Sequence, residues 1–181
     1  RTLEKIVKNQ NIGTIKMEVC RNTKPNINFL KKVRRLADQK KIILIFDECT
    51  TGFRQSFGGL YKSTDVNPDM VIFGKALGNG YAITAVLGKF EIMQYSQKTF
   101  ISSTFWTERI GPTAALQTIK IMEKEKTWKE IIKIGKKIQK GWAELANITG
   151  LKIDIKGIPS LTNFTFKSEK NLLYKALITQ E

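Results

Sequence analysis

Ile42-Ile43-Leu44-Ile45-Phe46-Asp47 is the stretch on which the fold turns. It is continuously apolar, rich in β-branched residues, and ends on an acid, the pattern of a strand buried on both faces of a parallel sheet. Just upstream, 26–40 sets Phe29, Leu30, Val33, Leu36 and Ala37 at helical spacing on one face, with Asn26 or Asn28 as a cap. Before that helix, 12–19 (IGTIKMEV) reads as another strand, and Leu3, Ile6 and Val7 as the end of an amphipathic helix. Strand, helix and strand in so short a run predict a βαβ unit and a mostly parallel sheet.

Downstream, 69–73 (DMVIF) and 81–87 (YAITAVL) read as strands separated by the turn-rich Gly74-Lys75-Ala76-Leu77-Gly78-Asn79-Gly80. Pro112 sits in the first turn of a long helix carrying Ala115, Ile119 and Met122. After a charged break at 123–126, Trp128, Ile131, Ile138, Trp142 and Leu145 continue the helical period. The stretches 151–155 and 161–166 read as strands of a different unit, and a last helix begins at about Asn171. The expected architecture is α/β, with residues 1–125 in a larger domain. Residues 126–181 would form a connecting helix and the start of a smaller α+β domain. Both ends fall inside periodic segments, so an internal piece of a longer chain is expected.

The 181 residues are 41% hydrophobic and 26% charged, a globular composition. Histidine is absent, which excludes Ser-His-Asp and Cys-His catalysis and any His-containing zinc site within the chain. Two cysteines, Cys20 and Cys49, supply neither a four-thiolate metal site nor a disulfide framework, so a reduced, cytoplasmic protein is expected. No apolar run is long enough for a membrane span. The net charge of +15 invites a nucleic-acid-binding reading. Its cations, Lys31-Lys32, Arg34-Arg35, Lys40-Lys41 and Lys136-Lys137, instead fall on polar helix faces along the chain. No RRM, KH or zinc signature accompanies them, so they read as solvated faces and no nucleic-acid partner is expected.

Asp47 and Glu48 stand at the carboxyl end of the central strand, where open α/β sheets bind ligands. Asp47 could equally cap the next turn or pair with Arg54. Lys75 lies between a buried strand and a glycine-rich turn; it is either a solvent-facing loop lysine or a desolvated amine suited to Schiff-base chemistry. A phosphate-binding P-loop is excluded, because Asp69 and Ala76 occupy the positions where that motif needs Gly and Ser or Thr. A strand-end acid and a later lysine are the two roles a pyridoxal-phosphate enzyme requires, one for the pyridine nitrogen and one for the imine.

Three blocks carry a family resemblance: Leu44-Ile45-Phe46-Asp47-Glu48-Cys49-Thr50-Thr51-Gly52-Phe53-Arg54, then Asn67-Pro68-Asp69-Met70-Val71, then Phe73-Gly74-Lys75-Ala76-Leu77-Gly78-Asn79-Gly80-Tyr81. Together they resemble the class III, fold type I, pyridoxal 5′-phosphate-dependent aminotransferases, in particular the glutamate-1-semialdehyde aminomutase-like branch. The resemblance implies a three-layer fold and amino transfer between an amine donor and a carbonyl acceptor through a lysine aldimine. Transfer within one molecule is the alternative it carries. It implies that Asp47 pairs with the ring nitrogen and that Lys75 forms the imine. It also implies that Thr107, six residues from the amino side of Pro112 counting both, binds the cofactor phosphate of a neighbouring subunit in a homodimer, with Thr104 as the other candidate.

The chain departs from the family pattern at several positions. Cys49 stands where members usually carry a Val that packs on the cofactor ring, and it can pack as a small hydrophobe or be an inert buried thiol. Thr50 stands where many have a Gln bonded to the ring oxygen, and Val19 replaces a Pro after Glu18. The segment 103–109 also differs from the aminomutase pattern. Arg54 is read as meeting a substrate carboxylate or pairing with Glu48 or Glu18. Gly78-Asn79-Gly80 fits a turn round the cofactor or a plain two-strand turn, and Trp106 fits a pocket wall or a core.

Overall fold

The computed structural model describes residues 2–23, 26–105 and 107–179. Helix α1 (Thr2–Asn9) leads into strand β1 (Thr14–Glu18), helix α2 (Ile27–Lys40) and strand β2 (Ile43–Asp47). Then come β3 (Met70–Phe73), β4 (Ala85–Gly88), the short α3 (Phe90–Met93), α4 (Ile110–Glu125) and α5 (Thr127–Thr149). Strands β5 (Ile153–Lys156) and β6 (Asn163–Phe166) and helix α6 (Asn171–Ile178) follow. Among the described residues, no helix is long and apolar enough to cross a membrane.

The first sheet has the order β1-β2-β3-β4. Its first three strands are parallel, with Glu18 opposite Asp47 and Asp47 opposite Ile72. Strand β4 returns antiparallel to β3, pairing Ala85 with Phe73. Parallel pairing brings the carboxyl ends of β1, β2 and β3 to one edge, so Asp47 and the segment after Phe73 become neighbours although far apart in sequence.

Helix α2 forms where the apolar period predicts it, and Asn26 is its cap: the Asn26 side chain accepts the Phe29 N–H at 3.1 Å. Leu30, Val33 and Ala37 are buried against Leu44 and Phe46 of β2. Phe29, expected on the same face, is half exposed. Strand β2 is also less enclosed than expected. Leu44 and Phe46 are fully buried, while Ile43, Ile45 and Asp47 point to the other face and are only partly covered. Alternation in a strand makes one apolar run serve two different surroundings.

Asp69 ties this layer together from below. Its Oδ2 accepts the Leu44 N–H at 2.8 Å and Arg34 Nη1 at 2.9 Å, and Lys89 Nζ lies 2.7 Å from Oδ1. Burial opposes its charge, but the Leu44 N–H and the two cations hold it below the ordinary carboxylate range. Arg34 is therefore not part of a solvated face, as the helix pattern suggests. It is mostly buried and bridges Asp69 and Asp38, while Lys31, Lys32 and Arg35 are exposed.

The expected break near 123–126 is real: Lys126, with φ +52°, turns the chain between α4 and α5. Helix α5 ends at Gly150, in the left-handed conformation that residue tolerates best. It packs on the turn at Pro159–Leu161, and Gly135 is the point of closest approach. A Cβ there would lie 1.9 Å from the Pro159 carbonyl oxygen, so the backbones meet only without a side chain. Trp142, Phe164, Phe166 and Tyr174 continue the packing as successive ring pairs with centroids 4.9–5.4 Å apart. Gly135→Ala is expected to destabilise the protein that carries this chain by about 1–3 kcal/mol through overpacking. Gly141→Ala, on the same helix with open space at its Cβ, is expected to be neutral or to stabilise slightly. Thermal melts of the pair decide it; an unaltered melting temperature in Gly135→Ala would mean that the close contact does not exist.

Candidate active site

The carboxyl edge of the parallel strands gathers Asp47, Cys49, Thr50 and Lys75. Asp47 ends β2. Its Oδ1 accepts the Cys49 N–H at 3.1 Å, so it does cap the next turn, and its Oδ2 lies 3.0 Å from Lys16 Nζ on β1. The pairing with Arg54 that the sequence allowed is not formed; Lys16 takes that place. Partial burial pushes the Asp47 carboxyl up, but the Lys16 ammonium and the Cys49 N–H outweigh it and hold the group below its ordinary value.

Glu48 turns the other way and is wholly buried. The Thr51 hydroxyl donates to its Oε2, and the Tyr61 N–H to its Oε1 at 2.8 Å. Burial raises the Glu48 carboxyl above its ordinary value, and the Asp47 charge adds to the rise, against the bonds from Thr51, Tyr61 and Leu60. Glu48 thus fastens the loop that carries Thr50 to Arg54. It does not pair with Arg54, nor does Glu18, whose partner is Arg21 at 3.6 Å. The Arg54 Nε donates to the Thr50 carbonyl at 2.8 Å, which corrects the ion pair expected for it.

Lys75 follows β3 directly. Its backbone sits at φ +42°, a conformation that residues with side chains seldom adopt and that concentrates at functional sites. Its Nζ donates to Thr50 Oγ1 at 2.6 Å. Thr50 therefore holds Lys75 with its hydroxyl and Arg54 with its carbonyl. The side chain of Lys75 is exposed in this chain, so the desolvated surroundings suggested by Phe73, Ala76 and Leu77 are not formed by the described residues. Gly74 lets Cys49 approach: a Cβ at Gly74 would sit 3.3 Å from the Cys49 sulfur. The Cys49 thiol is raised above its ordinary value by partial burial and by Asp47, against the opposing charges of Lys75 and Lys16.

Lys75 and Arg54 open onto a cleft of about 790 Å³ with Phe53, Asn79, Tyr81 and Gln117 in its walls. Gly78-Asn79-Gly80 forms its rim; a Cβ on Gly78 would meet the Tyr81 carbonyl oxygen at 2.1 Å, and this turn delays β4 to Ala85. Asp47 faces a separate hollow of about 390 Å³ with Lys16, Met17, Glu18 and Arg21. Among the described residues, Asp47 and Lys75 are thus joined through the short Asp47–Cys49–Thr50–Lys75 sequence of contacts and line different hollows. Thr104 and Thr107 lie in an exposed turn before α4 and line neither hollow. Trp106 lies outside the described residues.

Two features escape the sequence reading. Lys16 alternates with Thr14 and Glu18 on the polar face of β1, two residues before the strand's carboxyl end, and that placement is the signal that could have drawn attention to it. Glu108 caps α4 by accepting the Ile110 and Gly111 N–H groups, and only its acid two residues before the helix hints at this.

A family model described as aminotransferase class-III matches residues 22–179. The 3-aminobutyryl-CoA aminotransferase of Cloacimonas acidaminovorans is 40% identical over 157 residues, covering 86% of this chain and 38% of that protein. The glutamate-1-semialdehyde 2,1-aminomutase of Natranaerobius thermophilus is 30% identical over 145 residues, covering 78% and 34%. This chain therefore spans less than two-fifths of the length of these relatives. Among solved structures, the FumI protein of Sphingopyxis sp. MTA144, in its PLP internal aldimine form, superposes with a TM-score of 0.88 at 20% identity, covering 94% of this chain and 42% of that one. The ornithine aminotransferase of Plasmodium yoelii gives 0.79 at 23%, covering 91% and 46%. At these identities the structures share a fold with this chain, the α/β fold expected from the sequence.

Proposed function

This chain belongs to the class-III aminotransferase family, and we propose on that ground that it is the cofactor-holding part of a cytoplasmic, pyridoxal-phosphate-dependent aminotransferase. The reaction would move an amino group from a small amine donor to a small carbonyl acceptor. The observation that carries the reading is the arrival of Lys75 and Asp47 at one strand edge, linked through Thr50 and Cys49.

The donor set suits the cofactor. Lys75 Nζ has a neutral hydroxyl as its bonded partner, not a carboxylate, so its amine is free to hold an aldehyde. Asp47 is held ionised, as an anchor for a cationic ring nitrogen must be. When bound, pyridoxal phosphate supplies an electron sink that makes the hydrogen on the amine-bearing carbon acidic. Lys75 Nζ would then carry that proton between carbon atoms as a general base and acid. The Thr50 hydroxyl orients Nζ for both tasks, and Cys49 and Thr50 would line the ring. Thr107 would reach the phosphate held by the neighbouring subunit of a homodimer.

The test is borohydride reduction of the cofactor-loaded protein followed by peptide mapping. The expected result is the cofactor fixed to Lys75; a label on another lysine would refute the assignment. A second reading, transfer within one molecule, draws on the aminomutase relatives. Turnover of a single substrate with no separate keto-acid acceptor would select it, and dependence on such an acceptor would select the first.

A further inference from the structure

Asp47 is already claimed by a cation of its own chain. In the parallel register Lys16 lies opposite Ile45 and Glu18 opposite Asp47, so alternation puts all four side chains on one face. The Lys16 side chain runs toward the carboxyl edge and reaches Asp47 Oδ2 at 3.0 Å. Glu18, directly beside Asp47, would compete for Lys16 but faces Arg21 instead. Glu48 is turned inward to Thr51 and Tyr61, and Lys75 stands beyond Cys49 and Thr50. Among the described residues, Lys16 is the charged group within bonding distance of Asp47.

We propose that Lys16 is a positioning residue that sets how much of the Asp47 charge is left for the cofactor's ring nitrogen. The inference rests on the reading of Asp47 given above. With Oδ1 taken by the Cys49 N–H, a ring N–H must share the remaining acceptor capacity with the Lys16 ammonium. The ring nitrogen then faces a carboxylate already partly neutralised, and it holds its proton less firmly than it would beside an unpaired aspartate. The lowered carboxyl of Asp47 is the same interaction seen from the acid's side.

The test uses the apo form of the protein that carries this chain and pyridoxine 5′-phosphate. That molecule has the ring nitrogen and phosphate but no aldehyde, so its affinity is independent of any bond to Lys75. Lys16 is more than half exposed, so its substitution should leave the fold intact and its effect is that of a partly screened pair. Lys16→Met is expected to bind about threefold tighter at neutral pH, with the alkaline loss of binding moved up by roughly half a pH unit. Lys16→Gln should do the same, and Lys16→Arg should match the parent. Unchanged or weaker binding in both Lys16→Met and Lys16→Gln overturns the inference. Asp47→Asn separates the two levels. If it weakens binding while the Lys16 variants do nothing, only the Lys16 inference falls. If it binds as the parent does, the ring-nitrogen reading of Asp47 falls too.

Discussion

Replacing Lys75 with alanine is expected to reduce turnover in the protein that carries this chain on the order of 10³- to 10⁴-fold. On the proposed function the lysine would have two duties, holding the cofactor and moving a proton, and alanine could perform neither. Lys75→Arg is expected to fail equally, because a guanidinium keeps the charge but does not give up its proton near neutral pH. The side chain of Lys75 is exposed and, among the described residues, bonds to the Thr50 hydroxyl, so neither variant should lower the melting temperature of the apo protein appreciably. Loss of rate without loss of fold is thus the signature. Added small amines should restore a fraction of the rate in Lys75→Ala by supplying the missing base. A Lys75→Ala protein turning over within tenfold of the parent would remove this residue from the chemistry.

The parts of this molecule that a sequence reveals are those whose partners are set by period. Leu30, Val33 and Ala37 recur at helical spacing, and Leu44 and Phe46 lie in an unbroken apolar run, so the unit they build is legible. The order of Asp47 and Lys75 along the chain is legible too, through the blocks around them. Contacts set by long-range register are not. Arg34 belongs to Asp69, 35 residues away, yet its spacing groups it with exposed lysines. Glu48 answers a backbone N–H 13 residues on, for which no local pattern exists. Arg54 looks like a partner for these acids because opposite charges are easily paired on paper. The sheet instead gives the acids Lys16, Arg21 and inward-facing donors. Strand boundaries slip for a similar reason: 81–84 has strand composition, but the Gly78–Tyr81 turn consumes it before the ladder begins.

Asp47→Asn is expected to cost on the order of 10²- to 10³-fold in rate while leaving the protein folded. Asparagine keeps the size of the side chain and still accepts the Cys49 N–H, so the strand end is preserved. What it removes is a negative charge. Opposite charges about 4 Å apart at an effective dielectric near 20 interact by roughly 4 kcal/mol, about three powers of ten in the ring nitrogen's proton affinity. Sharing of the carboxylate with Lys16 trims that figure. Asp47→Glu should retain more activity than Asp47→Asn, since the charge survives with altered reach. The pH dependence has a definite sign. A carboxyl held below its ordinary value is ionised throughout the neutral range, and its contribution is lost only as the pH falls through that lowered value. The parent should therefore show no acid limb from Asp47 at or above the ordinary carboxylate range. Asp47→Asn should be slowest at neutral and alkaline pH and make up part of the deficit as the pH falls, since acid restores the ring proton that the carboxylate otherwise holds in place. Equal rates for Asp47→Asn and the parent across the pH range would show that the strand-end acid is only a cap for its own turn.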